Sequence, residues 1–269
     1  MLKHKRILVT GAAGYLGQLV RKSLSGRVAH LRLIDIAPMA PAQDGEEVVQ
    51  CNLTDASAMR LAMDGVDVVV HLAASLNVDD WKQTLNVNIE GTYNVYEAAR
   101  VAGVYRVIYA SSHHAVGMYP VTERIGTDAR LRPDSLYGVS KCFGETLAQY
   151  FWDKFGLESV CWRIGSTRAE PSEKEPREFI TWISEPDFER LLIASLKAKA
   201  VACTTLYGVS KNGEVWWDNS SATLIGFKPS DDASRLDIKP TEALQDTWQG
   251  GKRAAYGLLK DSERLCAKR

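Results

Sequence analysis

Two side chains near the middle of the chain have the types and spacing of a general base and its partner. Tyr137 and Lys141 lie four residues apart in the segment Tyr137-Gly-Val-Ser-Lys141, so a helix would place them on one face, one turn apart. A tyrosine phenol ionises near about pH 10, and a lysine ammonium beside it favours the phenolate and lowers that pKa. The pair is therefore a candidate proton acceptor for the oxidation of an alcohol. An exposed tyrosine and a solvated lysine could share this spacing, so the interpretation depends on the rest of the chain.

A glycine motif near the N-terminus supplies a candidate partner for that chemistry. The segment Gly11-Ala-Ala-Gly14-Tyr-Leu-Gly17 follows a short β-branched run at 6–10 and precedes a helical pattern. In this context Gly11 allows a tight turn, Gly14 lets the backbone approach a pyrophosphate, and Gly17 lets helix and strand pack closely. The phosphates would bind the free N–H groups at the positive end of the helix. An ordinary turn between a strand and a helix is the alternative.

The end of the next predicted strand favours a dinucleotide. Asp35 closes the run at 31–35 and stands 18 residues after Gly17. An acidic residue about 20 residues beyond the glycines accepts hydrogen bonds from the adenosine ribose hydroxyls. Its charge would repel a 2′-phosphate, and no arginine follows immediately, so the sequence predicts NAD rather than NADP.

Strands and helices continue to alternate after this point. The mostly apolar run at 66–72 indicates a parallel strand covered on both faces, and we interpret His71 within it as a hydrogen-bonded core residue. A long helix is predicted from about Trp81 to Ala102, and it carries Asn88. Other strands are predicted at 48–51, 106–110 and 157–164, and other helices from Asn52 or Asp55 through Met63, from Tyr137 to about Phe155, and from Asp187 to Lys197.

This alternation predicts an α/β fold: a Rossmann-type doubly wound parallel sheet with a small C-terminal substrate-binding portion. We expect residues 1–166 to form the NAD-binding domain. Residues 167–269 would form the substrate-binding portion, interleaved with the sheet through a strand near 203–207. Ligands bind at the carboxyl edge of such sheets, where the strand at 106–110 would deliver Ser111, Ser112, His113 and His114.

Composition excludes several classes of function. Lys and Arg together number 33, as do Asp and Glu, so the chain has no charge excess for nucleic acid or an anionic membrane. No apolar run approaches the roughly 18 residues that span a bilayer, and the N-terminus lacks a signal-peptide pattern. The cysteines are odd in number and widely spaced, so we expect reduced thiols, a cytoplasmic protein and no metal site: Cys51, Cys142, Cys161, Cys203 and Cys266.

Taken together, these motifs resemble the extended short-chain dehydrogenase/reductase superfamily over the whole chain. The glycines, Asp35, Asn88, Ser112 and the Tyr137–Lys141 pair match that pattern in type and order. The closer similarity is to uronate dehydrogenases, and it rests on the segments Tyr137-Gly-Val-Ser-Lys-Cys-Phe-Gly-Glu145, Arg163-Ile-Gly-Ser166, Trp216-Trp217-Asp218-Asn219-Ser220 and Gln249-Gly250-Gly251.

The resemblance implies an activity and a role for each site residue. It implies NAD-dependent oxidation of the anomeric carbon of a hexuronate such as galacturonate or glucuronate, giving an aldarolactone. The implied catalytic residues are Tyr137 as base, Lys141, Ser112 and Asn88. The cofactor would contact Gly11, Gly14, Tyr15, Leu16, Gly17, Asp35, Ile36, Asn52, Leu53, Leu72, Ala73, Ala74, Tyr137, Lys141 and Ile164. The sugar would contact Ser75, Ser112, His113, Ser166, Arg177 and Trp248. Arg177 would bind the sugar carboxylate, because it lies five residues before Trp182, and the family's carboxylate-binding arginine lies five residues before a tryptophan.

Three positions depart from the family pattern. Asn52 stands where the family usually has Asp, and His113 stands where it usually has Asn. A histidine could bond a sugar hydroxyl, but it differs in size and can titrate near neutrality. The usual Gly-Gly after the fourth strand is Ala73-Ala74. The substrate side is thus less typical of the family than the cofactor side.

Other functions stay open. The chain could oxidise another aldose or acidic sugar with NAD. It could also be a nucleotide-sugar epimerase or dehydratase, although these usually have a longer C-terminal portion than the 103 residues after Ser166. A non-enzymatic dinucleotide sensor would have no need for Tyr137 and Lys141 beside Ser112. The resemblance further implies a possible homo-oligomer that pairs through the helices bearing Asn88 and Tyr137.

Overall fold

A seven-stranded parallel sheet forms the centre of the protein. The computed structural model describes residues 2–77 and 80–257. The strand order is β3-β2-β1-β4-β5-β6-β9, which confirms the predicted doubly wound sheet. The order reverses between β1 and β4, so a crevice for a ligand opens there at the carboxyl edge. The strands are β1 (Arg6–Thr10), β2 (His30–Asp35), β3 (Glu46–Gln50), β4 (Val68–His71), β5 (Arg106–Ser112), β6 (Glu158–Ile164) and β9 (Cys203–Gly208), and a separate pair is β7 (Ser166–Thr167) and β8 (Trp182–Ile183).

Helices cover both faces of this sheet. They are α1 (Tyr15–Leu24), α2 (Ala56–Ala62), α3 (Trp81–Gln83), α4 (Gly91–Val101), α5 (Leu136–Phe155), α6 (Glu178–Thr181), α7 (Glu185–Lys197) and α8 (Lys252–Ala255). Short 3₁₀ turns span Leu2–His4, His113–Val116, Ser220–Ile225 and Ala233–Arg235. Asp55, rather than Asn52, caps α2, because its carboxylate accepts from the N–H groups of Ser57 and Ala58.

The long helix predicted from about Trp81 to Ala102 is not uniformly α-helical. Its middle, Thr84–Glu90, is π-helical and joins α3 to α4. Hydrophobic periodicity alone cannot separate one wide turn from the α-helical turns on either side, so the sequence did not reveal it. Such turns often occur at functional sites, and this one carries Asn88.

Side chains of each strand alternate between two apolar layers. On β1, Ile7 and Val9 pack in the layer of α1 and α7, whereas Leu8 packs in the layer of α2, α4 and α5. The period of two along a strand produces this division, and burial on both faces explains the continuous apolar runs.

His71 on β4 is buried, and its ring nitrogens bond the hydroxyls of Thr10 (2.7 Å) and Thr92 (3.1 Å). Burial lowers the pKa of His71 to about 3, so it is a neutral core residue, as predicted.

The C-terminal third adds to the sheet and covers its carboxyl edge. It supplies β9, which pairs with β6 in the strand region predicted near 203–207. Trp216 and Trp217 are buried in a third apolar cluster, and Trp217 stacks on Tyr207 with ring centroids 5.0 Å apart. These two tryptophans are therefore core residues.

Across residues 2–77 and 80–257, no helix is long and apolar enough to cross a membrane. The same residues contain no group of three or more His, Cys, Asp or Glu side chains arranged to hold a metal ion. Cys51, Cys142, Cys161 and Cys203 are free thiols. Cys266 lies outside the described residues.

Candidate active site

A groove of about 740 Å³ runs along the carboxyl edge of the sheet, and its walls contain every residue predicted to contact the cofactor. It extends from the glycine turn past Asp35 to Tyr137 and Lys141. The sequence missed Ala13, between two of the motif glycines, and neighbours such as Ala37, Cys51, Val87 and Thr167, which belong to no motif. Their positions one or two residues from predicted contacts were the available signal.

The glycine turn has the shape of a phosphate cradle. Gly11 has φ +68°, a backbone conformation that side chains disfavour. A Cβ on Gly17 would lie 2.4 Å from the Gly11 carbonyl oxygen, so only glycine allows α1 to approach the turn this closely. No side chain caps the N-terminus of α1. These residues fit a pyrophosphate, because the helix end and the bare backbone offer N–H donors.

Asp35 has two functions visible in the geometry. One carboxylate oxygen accepts from the Ala13 N–H and the other from the Ala37 N–H, both at 3.0 Å. The side chain thereby fixes the glycine turn against the end of β2. It also lines the groove, where its remaining lone pairs can meet ribose hydroxyls.

Tyr137 and Lys141 do share one face of α5, but their pKa values differ from the sequence expectation. Burial raises the pKa of Tyr137 to about 12, and burial lowers the pKa of Lys141 to about 7. The Lys141 ammonium donates to the Ala110 carbonyl at 2.7 Å and lies 5.5 Å from the Tyr137 ring centroid. The prediction of a lowered phenol pKa is therefore wrong for the protein alone: desolvation raises this pKa, and the groups that lower it are Arg253 and Ser112 rather than Lys141.

Asn88 holds two parts of the site together. Its amide oxygen accepts from the Ser75 N–H at 2.7 Å, and its amide nitrogen donates to the Ser75 carbonyl at 2.9 Å. The same nitrogen donates to the Ser140 hydroxyl at 3.0 Å, and that hydroxyl donates to the Tyr137 carbonyl at 2.7 Å. Asn88 thus acts through the backbone of its neighbours, and Ser75 is engaged with it.

A second cavity, of about 750 Å³, adjoins the groove. Four of the residues predicted to contact sugar line it, namely Ser112, His113, Ser166 and Arg177. Ser75 and Trp248 line neither cavity. Trp248 instead pairs with Pro120 in an isolated antiparallel bridge, so the structure does not bring it to the site. Ser112 and Tyr137 line both cavities and mark where these meet.

His113 is fixed between the sheet and Arg177. Its Nδ1 lies 2.9 Å from the Ile164 carbonyl, and its Nε2 lies 3.1 Å from Arg177 Nη1. A carbonyl can only accept and a guanidinium can only donate, so Nδ1 carries the proton and Nε2 is the acceptor. Burial, aided by the charge of Arg177, lowers the pKa of His113 well below its usual range. The titration near neutrality that a histidine side chain allows is therefore lost at this buried position.

Two further polar residues line the second cavity without having been assigned to the substrate. His114 Nδ1 lies 2.6 Å from an Asp134 carboxylate oxygen, and burial lowers the pKa of His114. Arg253 on α8 also lines the cavity. The position of His114 just after a strand placed it at this edge of the sheet, whereas Arg253 had no sequence signal.

Comparison with known proteins places this geometry in a family. The model described as NAD dependent epimerase/dehydratase family matches residues 7–186. A uronate dehydrogenase from Agrobacterium fabrum is 48% identical over 88% of this chain and 89% of its own length. One from Pseudomonas putida is 42% identical over 94% of this chain and 96% of its own length.

The solved structures agree with the sequence relatives. A mutant uronate dehydrogenase from Agrobacterium tumefaciens, crystallised in complex with NAD, has a TM-score of 0.89 and 43% identity, and the match covers 96% of this chain and 99% of that one. The resemblance to uronate dehydrogenases drawn from the motifs is confirmed. The chain belongs to the NAD dependent epimerase/dehydratase family.

Proposed function

We propose that this protein oxidises the anomeric carbon of a free hexuronate, such as galacturonate or glucuronate, to the aldarolactone with NAD. The observation that carries the proposal is the meeting of the two cavities at Ser112 and Tyr137. One cavity has the walls of a dinucleotide site, and the other contains the Arg177 guanidinium. The named uronate dehydrogenases, which match nearly the whole chain, support the same activity.

NAD, when bound, accepts the hydride that leaves the anomeric carbon. The glycine turn and the N-terminus of α1 would hold its pyrophosphate, and Asp35 its adenosine ribose. Because Asp35 is a carboxylate in the groove wall, it disfavours the additional phosphate of NADP.

The chain's own groups handle the proton and orient the sugar. Tyr137, in its ionised phenolate form, accepts the proton of the C1 hydroxyl as the carbon is oxidised. Ser112 donates to the same oxygen, and Lys141 would bind the nicotinamide ribose. A planar guanidinium can donate two parallel hydrogen bonds to a carboxylate, which is the role that we assign to Arg177.

The closest rival activity is nucleotide-sugar epimerisation, which would return its cofactor unchanged. Purified protein should be given NAD or NADP with galacturonate, glucuronate, galactose, glucose and a UDP-sugar, and NADH formation should be followed by absorbance. We expect stoichiometric NADH from a hexuronate and little from the neutral sugars. Epimerised UDP-sugar without net NADH would contradict the proposal.

Replacing the proposed base is the matching control. Tyr137→Phe removes the hydroxyl and keeps the ring in its buried site, so turnover should fall at least about a hundredfold, the lower range for a general base. NAD affinity, measured by calorimetry, should stay within a few-fold of wild type. Turnover retained by Tyr137→Phe would exclude Tyr137 as the base.

We further infer a cytoplasmic location and a homo-oligomer. Free thiols at four described cysteines are typical of a reducing compartment.

For the homo-oligomer, Tyr93 on α4 and Tyr150 and Phe155 on α5 are large exposed apolar side chains, on the helices expected to pair. Light scattering after size-exclusion chromatography tests the assembly, and a monomeric mass would refute it.

A further inference from the structure

Arg253 differs from the other arginines in the wall of the second cavity. Arg168 forms an ion pair with Glu178 at 2.7 Å, and Arg177 donates to His113. The Nη1 of Arg253 is buried and has no hydrogen-bond partner among the residues that the structure describes. A buried donor without a partner is costly. Because Arg253 also lines the second cavity, an oxygen of a bound molecule there would supply the missing acceptor.

The same guanidinium lies beside the proposed base. Its central carbon is 5.1 Å from the centroid of the Tyr137 ring, within the range of a cation–π contact. Its charge is the largest influence that lowers the pKa of Tyr137. Arg253 therefore lies beside the proposed base and also in the wall of the second cavity.

Lys141 cannot supply a permanent charge in the same way. Burial lowers its pKa to about 7, so its charge is lost as the pH rises, and its ammonium already donates to the Ala110 carbonyl. A guanidinium stays protonated at any pH that enzymes use. The lasting positive charge beside the phenol therefore comes from Arg253.

The other groups around the phenol do not replace this charge. Ser112, from β5, lowers the pKa of Tyr137, whereas the Asp134 carboxylate raises it. His114, whose ring is 5.9 Å from that of Tyr137, has a lowered pKa and is neutral near pH 7. Tyr109, on β5, has a pKa raised by burial and is also neutral.

We propose that Arg253 is a further active-site residue, which keeps a permanent positive charge beside the Tyr137 phenol and donates from Nη1 to an oxygen of the bound sugar. The inference rests on the proposed hexuronate oxidation for its second part only. The first part concerns a property of the protein without substrate.

Three variants separate charge, donor and fold. Arg253→Met removes the charge and the donors at similar length, and Arg253→Lys restores a charge without the planar fork. Lys252→Met is the matched control: it removes a charge from the same helix α8, at an exposed residue paired only with surface Glu175 at 2.6 Å. Each protein is assayed for kcat and KM with galacturonate from pH 6 to pH 12, so that the range reaches the pKa of about 12 of Tyr137.

Arg253→Met should lower kcat/KM at least about tenfold at pH 7 and move the rising limb of its pH profile to higher pH, because loss of a positive charge raises the pKa of the base. Arg253→Lys should keep the position of that limb and raise KM. Lys252→Met should match wild type. NAD affinity by calorimetry should be unchanged in all three, which shows that each variant is folded.

A measurement without sugar keeps the two proposals distinct. Ultraviolet titration of tyrosinate absorbance, with the Tyr137→Phe curve subtracted, reports the ionisation of this phenol directly. It should move to higher pH in Arg253→Met and not in Lys252→Met. If wild type oxidises no hexuronate, the proposed function fails while this titration still tests Arg253. An unmoved titration, with KM unchanged in Arg253→Met, would overturn the inference.

Discussion

The contact between His113 and Arg177 permits a sharp test of how the proposed carboxylate site is built. His113→Phe removes both ring nitrogens but preserves a flat ring of similar size. The ring contacts with His114, at 4.1 Å between centroids, and with Trp217, at 5.6 Å, can therefore persist. What is lost is the bond to the Ile164 carbonyl and the acceptor for Arg177 Nη1.

The expected size of the effect follows from these bonds. A hydrogen bond to a charged group contributes roughly 1.5–3 kcal/mol, and each 1.4 kcal/mol is about tenfold in affinity. If Arg177 binds the carboxylate in the orientation that His113 fixes, KM for a hexuronate should rise by about 10- to 100-fold. The proton acceptor is not touched, so kcat should change less than KM.

The assay is steady-state NADH formation with galacturonate and, as the neutral comparison, galactose. His113→Asn is the matched variant, since its amide can accept from Arg177 and donate to the Ile164 carbonyl. Its KM should stay within several-fold of wild type, and NAD affinity should be unchanged in both variants. An unchanged KM for galacturonate in His113→Phe would refute the idea that His113 orients Arg177.

Two further predictions concern the cofactor groove and the core. Asp35→Ala should lower the affinity for NAD by about tenfold or more, because hydrogen bonds to a charged group are lost. It should lower the affinity for NADP less, because the carboxylate that repels the 2′-phosphate is also removed. Calorimetry with both cofactors measures the two affinities. Glu145→Gln should lower the free energy of unfolding by about 3–5 kcal/mol, which urea unfolding measures. The reason is that the Glu145 carboxylate pairs with buried Arg163 at 2.9 Å and also accepts a hydrogen bond from Ser111.

Each of these has its own contrary outcome. Equal losses of NAD and NADP in Asp35→Ala would mean that the residue acts only through the backbone N–H groups it binds. For Glu145→Gln the control is Glu97→Gln, whose partner Arg100 is partly exposed, and surface pairs contribute at most about 1 kcal/mol. Similar losses in the two glutamine variants would show that burial of the Glu145 pair adds nothing.

The cofactor side was predictable because its contacts follow strand ends at short, fixed offsets. Gly11, Asp35 and Asn52 each come within two residues of a strand, and parallel strands bring their carboxyl ends to one edge. No comparable rule governs the sugar side. Arg253 lies on a four-residue helix more than a hundred residues beyond Tyr137, in a segment without strand or helix periodicity.

The protonation states needed the structure for a different reason. Spacing shows that Lys141 can lie near Tyr137, and this was correct. Spacing does not show how far either group is removed from water, and desolvation is what dominates both pKa values. The same holds for His113, whose titration near neutrality follows from its side-chain type but not from its buried position.

The π-helical turn and the active site are connected through Asn88. A single amide there must donate twice, to the Ser75 carbonyl and the Ser140 hydroxyl, and accept once, from the Ser75 N–H. An aspartate of the same shape could accept but not donate, and a serine could donate only once. These three bonds set the loop after β4 against α5 at the turn that carries Tyr137. The requirement for both donors and an acceptor, at one buried point between two elements, therefore accounts for asparagine at this position without any contact to substrate.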